Sequence, residues 1–139
     1  MSFYSYEYII IYLLYVKSDV RLDNDDYTIV QPDLYIICRR SAEEKKQRMV
    51  SGAPDFIVEI LSQSNRRHDM FRKLNKYRFS GVREYWIVDP ENLNVTVYDL
   101  EHDAPPKLYA FTDTIPVGIS DGECAVDFAR IYERIKQYL

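Results

Sequence analysis

Cysteine and histidine are scarce in this chain of 139 residues, and the few present are dispersed. Cys38 and Cys124 form no Cys-x-x-Cys group, and neither His68 nor His102 lies close to a cysteine in the sequence. Zinc sites use Cys and His ligands at short, characteristic spacings, so this pattern argues against one. Any metal would therefore be bound by oxygen atoms. Two separated cysteines also suit a reducing cytoplasm, which is the predicted location.

The sequence also lacks an apolar run long enough to cross a membrane. The longest candidate, residues 8–16, is about half the length that a spanning helix needs. No basic region precedes it and no small-residue cleavage site follows it, so we predict neither a signal peptide nor a membrane span. The hydrophobic content of 47% and the length suit one packed domain over residues 1–139.

Positive charge is concentrated in the middle of the chain. The net charge is −4, yet residues 39–83 contain twelve Lys or Arg residues against five acidic residues, a local charge of +7. A basic patch near acidic residues suits a polyanion that approaches a metal site. An ordinary solvated helix and loop would give the same pattern, so charge alone leaves both interpretations open.

Two acidic residues lie inside segments that are otherwise apolar. Glu59 lies within 56–61, where residues of both parities are apolar, which is the pattern of a central strand covered on both faces. Asp33 lies within the equally apolar segment 29–38. A buried carboxylate without a partner is unfavourable by on the order of several kcal/mol. A salt bridge to Arg or Lys is one form of compensation, and a divalent cation is another.

The segments 29–38 and 55–61 are predicted to pair as antiparallel strands because the connection between them is short. This pairing brings Asp33 near Glu59 and leaves Asp55 at the other end. A helix is predicted over 66–80, with N-cap candidates at 62–65, Gly81 as its C-terminal signal and an apolar stripe of Met70, Leu74 and Tyr77. Other predicted elements are strands at 1–16, 82–88, 94–100, 108–111 and 116–119, and a terminal helix capped by Asp127.

The predicted pairing assembles the groups that phosphodiester hydrolysis requires. Carboxylates on adjacent strands can bind one Mg²⁺ or Mn²⁺ and leave positions for water and a phosphate oxygen. A nearby lysine can orient the attacking water and stabilise charge developing on phosphorus. Asp33, Glu59 and Lys73 are therefore the predicted catalytic residues, the two acids being the metal ligands. The predicted nucleic-acid contacts are Arg66, Arg67, Arg72 and Lys76.

Several long motifs in a fixed order give the chain a family resemblance. They are Gln31-Pro32-Asp33-Leu34, the segment GAPDFIVEILS at 52–62, Asp69-x3-Lys73-x3-Tyr77, and GVREYWIVDP at 81–90. Together they resemble the Uma-type family of restriction-endonuclease-like proteins, within the PD-(D/E)XK nuclease superfamily. The resemblance implies an α/β (α+β) fold with a mixed β-sheet flanked by helices. It also implies Mg²⁺-dependent cleavage of DNA, with Asp33 and Glu59 as the metal-binding acids.

One position departs from the superfamily motif. The catalytic lysine normally lies two residues after the second acid, where this chain has Leu61. Some subfamilies supply the lysine from the following helix, and Lys73 resembles that relocated residue. The same helix motif assigns supporting roles to Asp69, which would orient Lys73, and to Tyr77. Asp55 is a further supporting residue, for which a structural role is favoured.

The opening segment, MSFYSYEYIIIYLLYV, does not match the family pattern, which predicts a shortened member. Such shortening would leave a sheet edge unpaired and favour a homodimer. Together with Leu61 it also motivates an alternative function, a degenerate nuclease fold that binds nucleic acid or a protein partner without cutting.

Overall fold

The computed structural model describes residues 12–22, 28–38, 50–62 and 67–139. Within these ranges the strands are β1 (Tyr12–Val16), β2 (Val20–Arg21), β3 (Ile29–Val30), β4 (Leu34–Cys38), β5 (Val50–Ser51), β6 (Phe56–Ile60), β7 (Glu84–Asp89), β8 (Asn94–Asp99), β9 (Lys107–Ala110), β10 (Thr114–Pro116) and β11 (Ala125–Asp127). The helices are α1 (Arg67–Ser80) and α2 (Phe128–Ile135), with 3-10 turns at Gly118–Ser120 and Lys136–Tyr138. Neither α-helix has the length and apolarity that a membrane crossing requires.

Six strands form one mixed sheet in the order β1-β4-β6-β7-β8-β9. Strands β6 and β7 are parallel and are connected through α1, as parallel neighbours require a crossover. The other neighbouring pairs are antiparallel. The α+β class and the mixed sheet flanked by helices are confirmed.

The central strand β6 is covered on both faces of this sheet, as its unbroken apolar run predicts. On one face α1 and the small sheet β3-β2-β5 cover a core that comprises Val20, Leu22, Tyr35, Ile37, Ile57, Leu74, Tyr77, Val82 and Tyr85. On the other face α2 and the 111–119 segment cover a core that comprises Cys38, Phe56, Trp86, Val88, Val95, Phe111, Ile115, Val117, Ile119 and Phe128. Glu59 faces the α1 side because side chains alternate along a strand and Ile57 belongs to that core.

Helix α1 ends where the sequence predicts. Gly81 follows its last residue with φ +94°, a left-handed conformation that glycine adopts without strain. The Gly81 N–H donates to the Arg78 carbonyl, and the Val82 N–H donates to the Tyr77 carbonyl. This Schellman pattern satisfies the last carbonyls of the helix. It also fixes the end of α1 that carries Tyr77.

The prediction of one strand over 29–38 is wrong. Strand β3 pairs with β2 in the small sheet, whereas β4 pairs with β1 and β6 in the large one. The interruption falls at Gln31–Asp33, where Pro32 has no N–H to donate to a strand ladder. Asp33 therefore lies just before β4 instead of within a strand.

The strand predicted at 116–119 is also misplaced, because β10 ends at Pro116 and a 3-10 turn follows. The terminal helix begins as predicted, with the Asp127 carboxylate accepting a hydrogen bond from the Arg130 N–H. The predictions for 1–11 and for the N-cap candidates at 63–65 lie outside the described residues.

Candidate active site

Asp33 and Glu59 lie side by side on the α1 face of the sheet. Leu34 pairs with Val58 in the antiparallel register of β4 and β6, so Asp33 lies opposite Glu59. The Asp33 carboxylate accepts a hydrogen bond of 2.8 Å from the Ile60 N–H through Oδ2. This contact ties the side chain that precedes β4 to the end of β6 beside Glu59. The structure thus brings together the two acids that the sequence singles out.

The Glu59 carboxylate is held by two donors from α1. Lys73 Nζ lies 3.0 Å from Oε1, and the Tyr77 hydroxyl donates to the same oxygen at 2.7 Å. Glu59 is 2% exposed, whereas the Lys73 side chain is 33% exposed. The ammonium group therefore bridges a buried carboxylate and the solvent. Lys73 and Tyr77 are four residues apart, which places them on the same side of the helix.

The Tyr77 hydroxyl is the donor in its hydrogen bond with Glu59. Burial, followed by the charge of the Glu59 carboxylate, raises the pKa of the Tyr77 hydroxyl far above its ordinary value. The hydroxyl therefore keeps its proton at neutral pH and donates it to the hydrogen bond with Glu59. Asp33 acts on the Tyr77 pKa in the same direction, as expected for two carboxylates near one hydroxyl.

Each acid keeps one oxygen outside these contacts. Among the described residues, Asp33 Oδ1 and Glu59 Oε2 have no hydrogen-bond partner, since the bonds recorded use Oδ2 and Oε1. No group of three or more His, Cys, Asp or Glu side chains that could hold a metal ion occurs within the described ranges. Magnesium sites commonly use only one or two carboxylates together with water and phosphate oxygens. The donor set of Asp33 and Glu59 therefore fits a hard divalent cation.

Comparison with known families identifies this fold and its motifs. The family model described as "Uma2: Putative restriction endonuclease" matches residues 12–120, which is well over half of the chain. The chain belongs to this family. None of the curated proteins compared with this Uma2 member matches it.

A solved structure shares the fold of this Uma2 member. It comes from Anabaena variabilis and is described as "a putative nuclease belonging to DUF820". The TM-score is 0.71 at 16% sequence identity, and the alignment covers 88% of this chain and 69% of the other. At this level of identity the similarity establishes the fold alone.

The position that carries lysine in the wider superfamily motif is apolar in this Uma2 member. Leu61 lies two residues after Glu59, and its N–H donates to the Val88 carbonyl at 2.8 Å. Lys73 from α1 supplies the ammonium group beside the second acid. The lysine predicted from the helix is thus the one that the structure places against Glu59.

Asp69 does not contact Lys73. Asp69 is exposed on the first turn of α1, and within the described part of the chain it has no ion pair or hydrogen bond. The reason is geometric, because Lys73 Nζ is directed toward Glu59 on the buried side of the helix. The expected orienting contact from Asp69 is therefore absent, and Tyr77 is the α1 residue that shares the Glu59 oxygen with Lys73.

Two of the four predicted nucleic-acid contacts are described in full. Arg72 and Lys76 are exposed. Lys76 lies beside Lys73 on the flank of α1, whereas Arg72 lies on the side of the helix that faces away from the sheet. Arg67 is the first residue of α1, but its side chain lies outside the description, and so does all of Arg66. The described cations Arg72, Lys73 and Lys76 thus form a basic strip that runs from the solvent side of the helix to Glu59.

Asp55 belongs to the opposite end of β6, four residues or about 13 Å from Glu59. Its carboxylate accepts a hydrogen bond from the Cys38 N–H at 2.8 Å and lies 3.5 Å from the Arg83 guanidinium. These contacts join the ends of β4, β6 and β7. The structure therefore does not bring Asp55 to the candidate site.

Two contacts of the site go beyond the sequence prediction, namely that of the Tyr77 hydroxyl with Glu59 and that of the Ile60 N–H with Asp33. Tyr77 could have been identified from its spacing, since a residue four positions after Lys73 faces the same neighbour. The Ile60 N–H could not, because a backbone donor carries no residue signature. It becomes available to Asp33 only because the ladder between β4 and β6 ends at that point.

Proposed function

We propose that this protein is a divalent-metal-dependent endonuclease that hydrolyses phosphodiester bonds in DNA. The observation that carries the proposal is the placement of Asp33 opposite Glu59, with Lys73 Nζ 3.0 Å from the Glu59 carboxylate. Membership of a family described as restriction endonucleases supports the same function.

In this proposal, Asp33 and Glu59 would hold Mg²⁺ or Mn²⁺ through Oδ1 and Oε2. The bound cation would supply Lewis acidity toward a phosphoryl oxygen and would make a neighbouring water more acidic. The Ile60 N–H and the Tyr77 hydroxyl each bind the other oxygen of one acid, which fixes the direction of the free oxygens. Fixing the ligand oxygens in advance is what a metal site needs from its surroundings.

Lys73 acts on the substrate side of this pair. One side of its ammonium group contacts Glu59, and a third of its side chain remains exposed. An ammonium has three N–H groups, so Lys73 can donate to a phosphate oxygen or to the attacking water while it keeps Glu59 as a partner. Its positive charge would also stabilise the negative charge that develops on phosphorus.

The basic strip of Arg72 and Lys76 suits the DNA backbone. Both side chains are exposed on the helix that carries Lys73, so a phosphate chain that crosses α1 from its solvent side would reach Lys73 and the two acids. Phosphate contacts position a strand without reading its sequence. These cations would therefore contribute affinity and register, and cleavage would depend on the three residues of the site.

The test is cleavage of supercoiled plasmid DNA with and without metal. We expect nicking in Mg²⁺ or Mn²⁺, none in EDTA, and a loss of about a hundredfold or more in Glu59→Gln and in Asp33→Asn. Glu91→Gln is the matched control, since Glu91 is an exposed acid on the turn after β7 and should leave the rate unchanged. Cleavage that survives Glu59→Gln, or that never appears with Mn²⁺, would rule out the proposal.

A second candidate is a module that binds nucleic acid without cutting it, and Leu61 is the observation that favours it. In that case the Lys73–Glu59 contact is only a structural ion pair. The wild-type protein would then show salt-sensitive DNA affinity but no metal-dependent turnover, and Asp33→Asn combined with Glu59→Gln would retain that affinity. Electrophoretic mobility shifts in a salt series, run beside the plasmid assay, separate the two candidates.

A further inference from the structure

A cavity of about 330 Å³ lies beside α1 on the same face of the sheet as the candidate site. We refer to it as the side cavity. Its walls are Phe71 from α1, Tyr98 from β8 and Leu108 from β9, and its polar lining includes Asn94 and Thr96. A cavity of this size and mixed lining is within the range of small-ligand sites.

The walls of the side cavity are apolar yet open to solvent. Phe71 is 63% exposed and Leu108 is 70% exposed. Tyr98 is half-buried and stacks on Tyr85, with ring centroids 5.9 Å apart and an angle of 22° between the rings. Tyr85 is fully buried, so its ring holds the neighbouring Tyr98 ring in position. The cavity therefore presents one supported aromatic ring and one exposed aromatic ring.

The side cavity is a neighbour of the candidate site, and Leu61 lies between them. This residue lines the cavity and lies two positions after Glu59, so it faces the same side of the sheet. The strand registers place Ile87 beside Glu59, Thr96 beside Ile87 and Leu108 beside Thr96. At about 4.8 Å between strands, Thr96 is roughly 10 Å from Glu59. That distance is within reach of a neighbouring nucleotide of a strand held at Glu59.

A cation lies at the rim of the side cavity. Arg78 is seven residues after Phe71 and therefore lies on the same flank of α1. Burial raises the pKa of Tyr98, and the Arg78 guanidinium opposes that rise, so the cation lies close to the ring. The acidic residue in the lining, Asp89, accepts hydrogen bonds from Asn92 through both of its oxygens. Arg78 is therefore the charged group at the rim that is available to a phosphate.

We propose that the side cavity binds one unpaired nucleobase of the DNA strand that is cut, stacked against Phe71 and Tyr98. The proposal rests on the nuclease function proposed above and names its substrate class, a strand with unpaired bases. Aromatic side chains stack on any of the bases, so this contact favours unpaired over paired DNA without selecting a sequence. Asn94 and Thr96 are the polar groups that would face the edge of the base.

The test measures binding in EDTA, where no cleavage occurs. The probe is a single-stranded oligonucleotide that contains one 2-aminopurine, compared with a blunt duplex of the same length. We expect the wild-type protein to quench the 2-aminopurine and to prefer the single strand. Phe71→Ala should weaken that binding about tenfold and remove the quenching, which is the loss expected from one base–aromatic stack.

Phe79→Ala is the matched control. Phe79 is another phenylalanine of α1, is 89% exposed, and points away from the sheet. Its removal should change neither affinity nor quenching. Leu108→Ala, on β9, provides a second wall variant and should weaken binding in the same direction as Phe71→Ala.

Three outcomes would overturn the proposal: no preference for the single strand, equal effects of Phe71→Ala and Phe79→Ala, or a change in self-association instead of DNA binding. The last result, seen by analytical ultracentrifugation, would assign the side cavity to a second copy of this chain. If the base contact is found but no metal-dependent cleavage occurs, the cavity stands and the nuclease function falls. If metal-dependent cleavage occurs but Phe71→Ala changes neither binding nor quenching, the nuclease function stands and the proposal for the side cavity falls.

Discussion

Glu59 shows how one residue can be essential to a core and still belong to a site. A carboxylate that is 2% exposed requires hydrogen bonds or charge partners, because removing it from water is costly. Lys73 and Tyr77 meet that requirement through one oxygen only. The other oxygen has no partner among the described residues, so one side chain combines a compensated buried charge with the proposed ligand position.

Substitution of Lys73 is the sharpest test at the scale of single residues. Lys73→Ala should reduce turnover by about a hundredfold or more, since it removes both the charge and the donor beside the scissile phosphate. Lys76→Ala, on the same helix but without contact to Glu59, should stay within about twofold. Both rates are measured on plasmid DNA at saturating Mg²⁺.

Lys73→Arg separates the catalytic role of Lys73 from its structural role. An arginine keeps a positive charge beside Glu59, so the fold should be retained in urea unfolding, whereas Lys73→Ala leaves a buried carboxylate with less compensation. Its planar guanidinium does not reproduce the compact ammonium group that would donate to the phosphate or to the attacking water, so turnover should still fall. If Lys73→Ala, Lys73→Arg and Lys76→Ala all cut DNA at the same rate, Lys73 is only part of the basic strip.

Cys38 provides a prediction that depends on pH. Burial, followed by the nearby Asp55 carboxylate, raises the pKa of its thiol from an ordinary 9.0 to about 11. At pH 8 a thiol reagent should therefore label the exposed Cys124 and leave Cys38 unmodified in the folded protein. In urea both cysteines should react, and Cys124→Ser should abolish labelling of the folded form.

The sign of the effect on stability follows from the same shift. Because the folded pKa is above the unfolded value, Cys38 contributes stability that is fully present below pH 9. This contribution is lost as the pH rises toward 11, since the unfolded chain then ionises its thiol first. Urea midpoints measured between pH 8 and 11 should fall less steeply in Cys38→Ala than in the wild-type protein.

At the scale of elements, α1 is the part of the fold that sequence signals define best. Its stripe of Met70, Leu74 and Tyr77 and its stop at Gly81 are explicit, and the structure has the helix at Arg67–Ser80. Strand β6 was similarly clear, because an apolar run of both parities has few alternative interpretations. Local sequence therefore determines the two elements that carry Glu59 and Lys73.

The elements that were mispredicted have long-range causes. Segment 29–38 is apolar on both sides of Gln31, Pro32 and Asp33, and only its division between two sheets shows that Pro32 ends one ladder before the next begins. The contact of Asp33 with the Ile60 N–H depends on that division. Likewise, the side cavity brings Phe71 next to Leu108, 37 positions later in the chain, and no local pattern encodes that proximity.

Gly81→Ala tests the end of α1. The φ of +94° is unfavourable for alanine, although a Cβ at this position would meet no atom within 4 Å. The free energy of unfolding should therefore fall by about 1 kcal/mol through backbone strain alone. Asn75→Ala, at an exposed position within the same helix, should leave it unchanged or slightly raise it. Urea denaturation monitored by circular dichroism distinguishes the two.

At the scale of the whole molecule, the positive charge of α1 contrasts with a net negative charge. Helix α1 contains five Lys or Arg residues against one acidic residue, whereas the chain as a whole has a net charge of −4. A polyanion is attracted locally to such a helix even when the molecule is acidic overall. In the proposed function, this attraction would bring DNA to the helix that carries Lys73.

The salt dependence of DNA binding measures how much the cations of α1 contribute to it. Replacing Arg72 and Lys76 together with alanine should lower the slope of log K against log salt by about two units, because each phosphate contact contributes about one. Arg130→Ala is the control, since Arg130 is an exposed residue of α2 on the opposite face. An equal decrease in the control would show that the binding is not directed to the α1 face.

The candidate site is divided between a sheet and a helix, and this division affects how its activity would be lost on heating. Glu59 is held by the ladder between β6 and β7, and Asp33 is held by the Ile60 N–H at the end of β6. Lys73 and Tyr77 belong instead to a helix attached largely by side-chain packing. Proteins open in cooperative units of unequal stability. If α1 detaches first, both donors leave Glu59 in one event while the acids stay in register. Warming would then abolish turnover before the sheet unfolds. In hydrogen exchange, the amides of α1 would exchange with solvent earlier than those of β6.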